Sequence, residues 1–166
     1  THGGVCLSYM DGENAHAVRV RVASDANGRP VLRPLILCPN RTLSTTTARA
    51  ILNPEVRRRD ATHNIARAAL LVRALAEDPS HLFAATADRL HQDERSAHMP
   101  QSVGLVHVLR SQGVPAVISG AGPTVLIPID APDDIARIVR EVVEDPDGWR
   151  LARVPLAQEG IHTVLS

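Results

Sequence analysis

The stretch ISGAGPTVLIPI, residues 118–129, decides the architecture of the second half of the chain. Two apolar runs, residues 117–118 and 125–127, flank a six-residue break that contains two glycines, a serine and a proline. The apolar runs predict two paired strands, and a plain hairpin between such strands needs only two turn residues. The longer break therefore raises the question of why two glycines, a serine and a proline lie between strands that could pair without them.

The residues of this loop allow two interpretations. Gly120 and Gly122 permit positive φ and close approach of another backbone, and Ser119 and Thr124 add hydroxyl groups. Consecutive exposed N–H groups in such a loop form a concavity of the size of an anion. The loop is either a neighbour of a phosphate or carboxylate or simply a wide hairpin turn. The residues alone favour the hairpin turn, because glycine loops are common.

The sequence around the loop predicts an α+β fold. Pro100 suits the first turn of a helix that runs to Gln112, with Gly113 just beyond its end. After the two strands, apolar residues at intervals of three and four predict an amphipathic helix, and residues 149–154 predict a last strand. The helix carries Ile135, Ile138, Val139, Val142 and Val143 on one face. Helices packed on an antiparallel sheet are therefore expected.

The first half of the chain predicts strands followed by helices. Strand-like runs at residues 5–10, 17–22 and 35–38 predict an antiparallel meander within the first forty residues. In the second run, valines at 18, 20 and 22 alternate with arginines, which is typical of a strand with one wet face. Helices are expected at residues 44–52, 60–77 and 79–91, with Ile65 and Ala69 on the packed stripe of the second, and residues 91–99 are polar and irregular.

Composition excludes several classes of function. The chain has 166 residues, enough for one domain, with 18 basic and 18 acidic side chains. That balance argues against a nucleic-acid or membrane-surface partner, and no apolar run is long enough for a bilayer span. Since every basic residue is arginine, a GK[ST] phosphate loop and Schiff-base chemistry are excluded. We expect a cytoplasmic protein in which Cys6 and Cys38 are free thiols.

Three ordered segments carry a family resemblance. RSQGVPAVISGAGPTVL, residues 110–126, resembles the C-terminal signature of the GHMP kinases. LSTTTAR, residues 43–49, resembles the LST-x-x-AR segment of homoserine kinases, and HQDER, residues 91–95, is similar to their HQ-x-x-R segment. Gly3–Gly4 resembles the glycines that follow the GHPDN-type segment of the family. Together these segments are distributed over most of the chain.

The resemblance implies ATP-dependent phosphorylation of the side-chain hydroxyl of L-homoserine, a step of threonine biosynthesis. It also implies that residues 41–166 form the ferredoxin-like C-terminal domain and that residues 1–40 are strands adjoining from a truncated N-terminal domain. The family's glycine- and serine-rich ATP cradle is not found in the sequence. The ligands of ATP and Mg²⁺ are therefore expected in a missing N-terminal part, and the isolated chain is expected to be inactive. A homodimer is left open.

The resemblance also implies roles for particular residues. Arg49 and Arg95 match positions that bind the substrate carboxylate, a task that suits the bidentate guanidinium fork. Thr45 is a candidate partner of homoserine, although it could equally belong to the cap of its helix. Support of the phosphate loop is assigned to Ser119, Gly120, Ala121, Gly122 and Thr124.

No catalytic residue and no metal ligand is assigned to the chain. His91 as a base, or His91 with Asp93 and His98 as metal ligands, is rejected because the segment lacks the regular helical spacing of such sites. We expect His91 to make a structural hydrogen bond near Arg95.

Other functions are kept as alternatives. A GHMP kinase that acts on another small molecule, such as mevalonate, shares the loop motif, so only the LSTTTAR and HQDER segments favour homoserine. A non-catalytic amino-acid-binding ferredoxin-like module is a rival from another class, and a remnant that only dimerises is a third. The helical insert of residues 44–112 argues against a compact binding module, which would not need it.

Overall fold

The computed structural model of the chain describes residues 3–157 and 159–160. An antiparallel hairpin opens the chain, made of β1 (Val5–Asp11) and β2 (Asn14–Val20), which form a two-stranded sheet of their own. The turn between the two strands contains Gly12, which has φ +58°. Large side chains of the hairpin, among them Tyr9 and Val18, stay exposed, so β2 is wet on both faces and not on one as the alternation predicted.

A second, four-stranded antiparallel sheet has the order β4-β5-β3-β6. Its strands are β3 (Leu35–Pro39), β4 (Val117–Ile118), β5 (Val125–Ile127) and β6 (Trp149–Arg153). The predicted meander of the first forty residues is wrong, because β3 pairs with β5 and β6 and not with the hairpin. The apolar sequence of β3 suits a strand with neighbours on both edges.

The connectivity of the larger sheet is ferredoxin-like. The strands follow one another as β3, helices, β4, β5, helix and β6, and the outer positions belong to β4 and β6. This is the split β-α-β-β-α-β arrangement. The predicted α+β class with an antiparallel sheet packed with helices is confirmed. The ferredoxin-like unit begins with β3, however, so the boundary predicted after residue 40 removes its first strand.

Five α-helices lie in the described residues, and most match the prediction. Their bounds are α1 Thr45–Ala50, α2 Arg58–Ala76, α3 Leu82–Ala85, α4 Pro100–Ser111 and α5 Ile135–Val142. Short 3₁₀ turns occupy Pro79–His81, Asp93–Arg95 and Pro146–Gly148. The helix predicted for residues 79–91 is wrong in extent, because it consists of a 3₁₀ turn and one α-helical turn that ends at Ala85.

The main core lies between the sheet and helices α4 and α5. Its fully buried side chains include Leu37, Leu105, Leu109, Ile127 and Ile138. The predicted apolar stripe of α5 is confirmed for its members at 135, 138, 139 and 143, which are buried. None of the described helices is long and apolar enough to cross a membrane.

A smaller core lies under α2 and α3. Its buried members are Leu32, Ala74, Leu82 and Ala85, and Leu70, Leu71 and Leu75 pack against them. The stripe predicted for α2 is therefore wrong at its N-terminal end, where Ile65 is 71% exposed. The leucines around position 71 determine which face of this helix turns inward, because they bury more apolar surface than the residues near its start.

Candidate functional site

The glycine loop between β4 and β5 is a closed turn. The Ser119 N–H donates to the Thr124 carbonyl at 2.8 Å, and the Gly122 N–H donates to the Ser119 carbonyl at 3.0 Å. Two N–H groups of the loop are thus used inside it. Gly120 and Gly122 have φ of +59° and +84°, a region that side chains with a Cβ rarely enter. The half-buried Ala121 lies between them.

Gly122 is also required by a close approach. A Cβ at this position would lie 2.7 Å from both Sδ and Cε of the buried Met99 and 3.0 Å from Cγ2 of Ile118. No atom lies within 4 Å of the corresponding position at Gly120. Glycine is therefore required at the two positions for different reasons. Gly120 is needed for its positive φ, and Gly122 is needed both for its positive φ and for the close approach of Met99, which is the N-cap residue of α4.

Arg95 joins the glycine loop to the first helix. Its side chain is only 8% exposed. Nε donates to the carbonyl of Ala48 in α1 at 3.2 Å, and Nη1 donates to the carbonyl of Gly120 at 3.0 Å. Both bonds go to neutral carbonyl oxygens, so a positive charge is held at the junction of three segments that are far apart in sequence.

Helix α1 carries the two other residues predicted to bind the substrate. Ser44 caps the helix, because its Oγ accepts the Thr47 N–H at 3.0 Å, so the cap belongs to Ser44 and Thr45 is the first helical residue. Thr45 and Arg49 are exposed on the helix, and Arg49 directly follows Ala48, whose carbonyl accepts from Arg95. The structure thus brings α1, Arg95 and Gly120 together.

Thr124 contacts the neighbouring strand β3. Its Oγ1 donates to the sulfur of Cys38 in β3 at 3.6 Å, so the hydroxyl contacts the neighbouring strand. Ser119 is exposed at the other end of the loop. Of the five loop residues predicted to support a phosphate loop, Gly120 is the one that contacts Arg95.

The segment before Arg95 is organised by Asp88. The carboxylate accepts the N–H groups of His91 and Gln92 at 2.8 and 2.7 Å, and a side-chain N–H of Asn64 at 2.7 Å. Burial alone would raise the pKa of Asp88, but the hydrogen bonds from Gln92, Asn64 and His91 outweigh it and lower the pKa from 3.8 to about 2. Asp88 is therefore a carboxylate at neutral pH.

The histidines of this region make structural contacts. The predicted hydrogen bond of His91 is present, with its Nδ1 lying 3.0 Å from Oδ1 of Asp88. Asp93 lies 2.9 Å from Nε2 of His107. Within residues 3–157 and 159–160 no group of three His, Cys, Asp or Glu side chains is placed to hold a metal ion.

An open groove lies beside Arg95 and the glycine loop. Its volume is about 360 Å³. The lining residues are Thr86, Asp88, His91, Gln92, Arg95, Val117, Ile118 and Gly120. Four of these eight residues belong to the segment 88–95, and Thr86 lies just before it. This segment therefore lines one side of the groove and also supports Arg95.

Three residues of the site were missed by sequence reasoning. Asp88 organises the turn, Gln92 accepts the Ile118 N–H through Oε1 at 2.7 Å, and Ser102 Oγ donates to the Pro123 carbonyl at 2.6 Å. An aspartate followed by a polar segment is a signal for side-chain capping of a turn, and it could have identified Asp88. The HQ-x-x-R motif includes Gln92, but no local signal gives the partner of Gln92 or of Ser102, since both partners lie more than twenty residues away.

Comparison with known proteins assigns the fold to a class. Residues 66–146 match the family model described as "GHMP kinases C terminal". The chain therefore carries the C-terminal domain of the GHMP kinases, as the resemblance predicted.

Its relatives are more specific. The homoserine kinase of Streptomyces avermitilis is 43% identical over 160 residues, which cover 95% of this chain and 48% of that protein. The chain thus spans about half the length of the curated relatives it matches. The resemblance to homoserine kinases is confirmed over nearly the whole chain.

Two solved structures share the fold. The crystal structure of homoserine kinase from Cytophaga hutchinsonii superposes with a TM-score of 0.70 at 20% identity, covering 88% of this chain and 46% of that one. The L. major mevalonate kinase, solved with R-mevalonate, gives 0.57 at 13% identity, covering 91% and 48%. At these identities the likeness concerns the fold alone.

Proposed function

We propose that this chain is the acceptor-binding half of a homoserine kinase, which transfers the γ-phosphoryl group of ATP to the side-chain hydroxyl of L-homoserine. The proposal is supported by 43% identity to a homoserine kinase over 95% of the chain. The observation that carries it is the buried guanidinium of Arg95, fixed between α1 and the glycine loop.

The chemistry of Arg95 explains why an amino acid fits. A guanidinium has five N–H donors, and the two hydrogen bonds to Ala48 and Gly120 use two of them. The remaining N–H groups can form the paired bonds that a carboxylate accepts. Among the described residues, the hydrogen-bond partners of this buried cation are carbonyl oxygens. A bound anion would stabilise it further, because pairing with an opposite charge offsets the free-energy cost of its desolvation. The carboxylate of L-homoserine is such an anion.

Arg49 and Thr45 complete the proposed acceptor site from α1. Arg49 supplies a second guanidinium, and Thr45 supplies a hydroxyl near the start of the same helix. Both side chains are exposed, so they are free to turn toward a ligand. The glycine loop packs under the phosphate-binding part of the kinase and shapes the acceptor end, with Gly120 locked to Arg95.

ATP and Mg²⁺ are the co-substrate and metal of the proposed reaction. We assign no residue of this chain to either, because the family's nucleotide cradle is not in its sequence and no described cluster suits a metal ion. Phosphoryl transfer relies mainly on positioning and charge neutralisation. What this chain contributes is the position of the acceptor hydroxyl.

Binding and turnover on the 166-residue chain test the proposal together. Calorimetric titration should detect L-homoserine, and R-mevalonate, which also carries a carboxylate, serves as the comparison ligand. A coupled assay with ATP and L-homoserine should show little or no turnover. Arg33→Lys is the control for substitution of an arginine outside the proposed site, because Arg33 is exposed and paired with Asp25 and Asp130. This variant should bind L-homoserine as the wild type does. Failure to bind L-homoserine, preference for mevalonate, or robust turnover by the chain alone would each contradict the proposal.

A further inference from the structure

The carboxylate of Asp88 is the hub of the turn that leads into the candidate site. Oδ2 accepts the backbone N–H groups of His91 and Gln92 at 2.8 and 2.7 Å. Oδ1 accepts Nδ2 of Asn64 at 2.7 Å and lies 3.0 Å from Nδ1 of His91. Both oxygens therefore face donors only, and the side chain is largely buried, with 16% of its surface exposed.

Asn64 connects this hub to α2. While its Nδ2 donates to Asp88, its Oδ1 accepts the backbone N–H of Arg89 at 3.0 Å. One amide on a 19-residue helix thus holds two consecutive residues of the turn. The start of the segment is fixed to a regular element, which is how a loop-borne functional residue gains a defined position.

Two contacts lead from the turn to the glycine loop. Gln92, whose N–H is held by Asp88, accepts the Ile118 N–H at 2.7 Å through Oε1, and Ile118 ends β4 just before the loop. Arg95 ends the 3₁₀ turn that starts at Asp93 and donates to Gly120. The segment therefore grips the loop at its entrance and at its first glycine.

We propose that Asp88 is a positioning residue of this site: its carboxylate fixes residues 88–95 so that Gln92 and Arg95 hold the glycine loop and present the guanidinium to the ligand. The identity of that ligand rests on the proposed function. Asp88 itself has no part in proton transfer, because five hydrogen-bond contacts occupy its oxygens and its pKa of about 2 makes it a weak base at neutral pH.

Asp88→Asn tests the role with little change in shape. The amide replaces one acceptor oxygen with an NH₂ group, which must then face N–H donors. Hydrogen exchange in ¹⁵N-labelled protein follows two reporters, the Ile118 amide and the Nε–H of Arg95. We expect both to exchange about ten-fold faster or more in the variant, because a charge-assisted acceptor is lost. The Leu105 amide in the core of α4 should keep its rate.

Asp78→Asn is the matched control. Asp78 caps a comparable turn, where its Oδ1 accepts the Ser80 N–H at 3.1 Å. None of its described hydrogen bonds goes to residues 88–95. It should leave both reporters unchanged. If Asp88→Asn does not fold, Asn64→Ser keeps the carboxylate but removes the amide that donates to Asp88 and accepts from the Arg89 N–H, and it should accelerate the same two reporters to a smaller degree.

Titration with L-homoserine separates this inference from the proposed function. Asp88→Asn should weaken binding about ten-fold, while Asp78→Asn should not. A wild-type chain that binds no L-homoserine refutes the proposed function, and the exchange rates still decide the role of Asp88. Unchanged exchange at Ile118 and Arg95, or an equal acceleration at Leu105, would overturn the positioning role.

Discussion

Arg95 donates a hydrogen bond to the carbonyl of Gly120, at 3.0 Å, across 25 residues of sequence. The bond matters because its acceptor is the first glycine of the loop and its donor is a buried cation that also holds α1. Under the proposed function, the side chain that binds the substrate carboxylate is also the one that connects α1 to the glycine loop.

Replacing Arg95 should affect both stability and binding. Arg95→Lys keeps the charge but cannot reach two carbonyls in the fork geometry of a guanidinium. We expect the free energy of unfolding to fall by about 2–3 kcal/mol, measured by urea titration. Arg49→Lys is the matched control, and its exposed position should limit the change to about 0.5 kcal/mol.

The same two variants separate the roles of the arginines in binding. Both variants should lower the affinity for L-homoserine about ten-fold, because each substitution removes paired hydrogen bonds to the carboxylate of the ligand. Equal free energies of unfolding for the Arg95 variant and the wild type would show that the hydrogen bonds of Arg95 to Ala48 and Gly120 do not stabilise the fold. An unchanged affinity in both variants would show that the clamp is assigned to the wrong side chains.

The two glycines of the loop should tolerate alanine differently. Gly120→Ala pays for positive φ alone, at about 1–2 kcal/mol. Gly122→Ala meets the same backbone cost and also forces its Cβ against Met99. Overpacking of this kind adds about 1–3 kcal/mol. Thermal unfolding should therefore rank Gly122→Ala below Gly120→Ala, and the reverse order would mean that Met99 moves away without cost.

Ser102 should stabilise the far side of the loop. Its hydroxyl, on a residue only 2% exposed, donates to the Pro123 carbonyl at 2.6 Å. Ser102→Ala leaves that carbonyl without its partner and should cost about 1–2 kcal/mol. Ser111→Ala, at an exposed serine that donates to the Val108 carbonyl, is the control and should cost less. Equal urea midpoints for the two variants would contradict the importance of the Pro123 contact.

Asp88 predicts an acid-dependent loss of stability. Its pKa is lowered from 3.8 to about 2 in the folded chain. A lowered folded pKa contributes stability that is fully present above pH 3.8 and is lost as the pH falls toward 2. The contribution is about 2 kcal/mol.

The measurement is the difference in unfolding free energy between the wild type and Asp88→Asn from pH 6 to pH 2. Other carboxylates titrate in both proteins, so the difference isolates Asp88. It should narrow below pH 4, and a constant gap across this range would show that the carboxylate charge is not the stabilising feature.

Local patterns predicted the elements whose signals are contained in a few residues. Gly113 ends α4 with φ +81°, Ser44 caps α1, and the apolar residues of α5 face the core as their spacing required. The strands on either side of the glycine loop were likewise evident. Each of these depends on backbone propensity or on burial of a short periodic stripe, which a single sequence contains.

Long-range choices could not be predicted in the same way. The partners of β3 lie about ninety and more residues away, and period-two alternation says nothing about which strand is the neighbour. The packed face of α2 depends on where Leu32 and Leu82 happen to lie. The partners of Arg95 and Gln92 are also distant backbone groups, so the HQ-x-x-R motif contained both residues without indicating what they contact.

The position of β3 has a consequence for biosynthesis. Leu35 pairs with Arg153 on one side and with Ile127 on the other. During translation the nascent strand therefore has apolar side chains without their partners until residue 153 has emerged from the ribosome. Because closing such long loops slows folding, the interval before β6 is made is when holdase chaperones have most to protect.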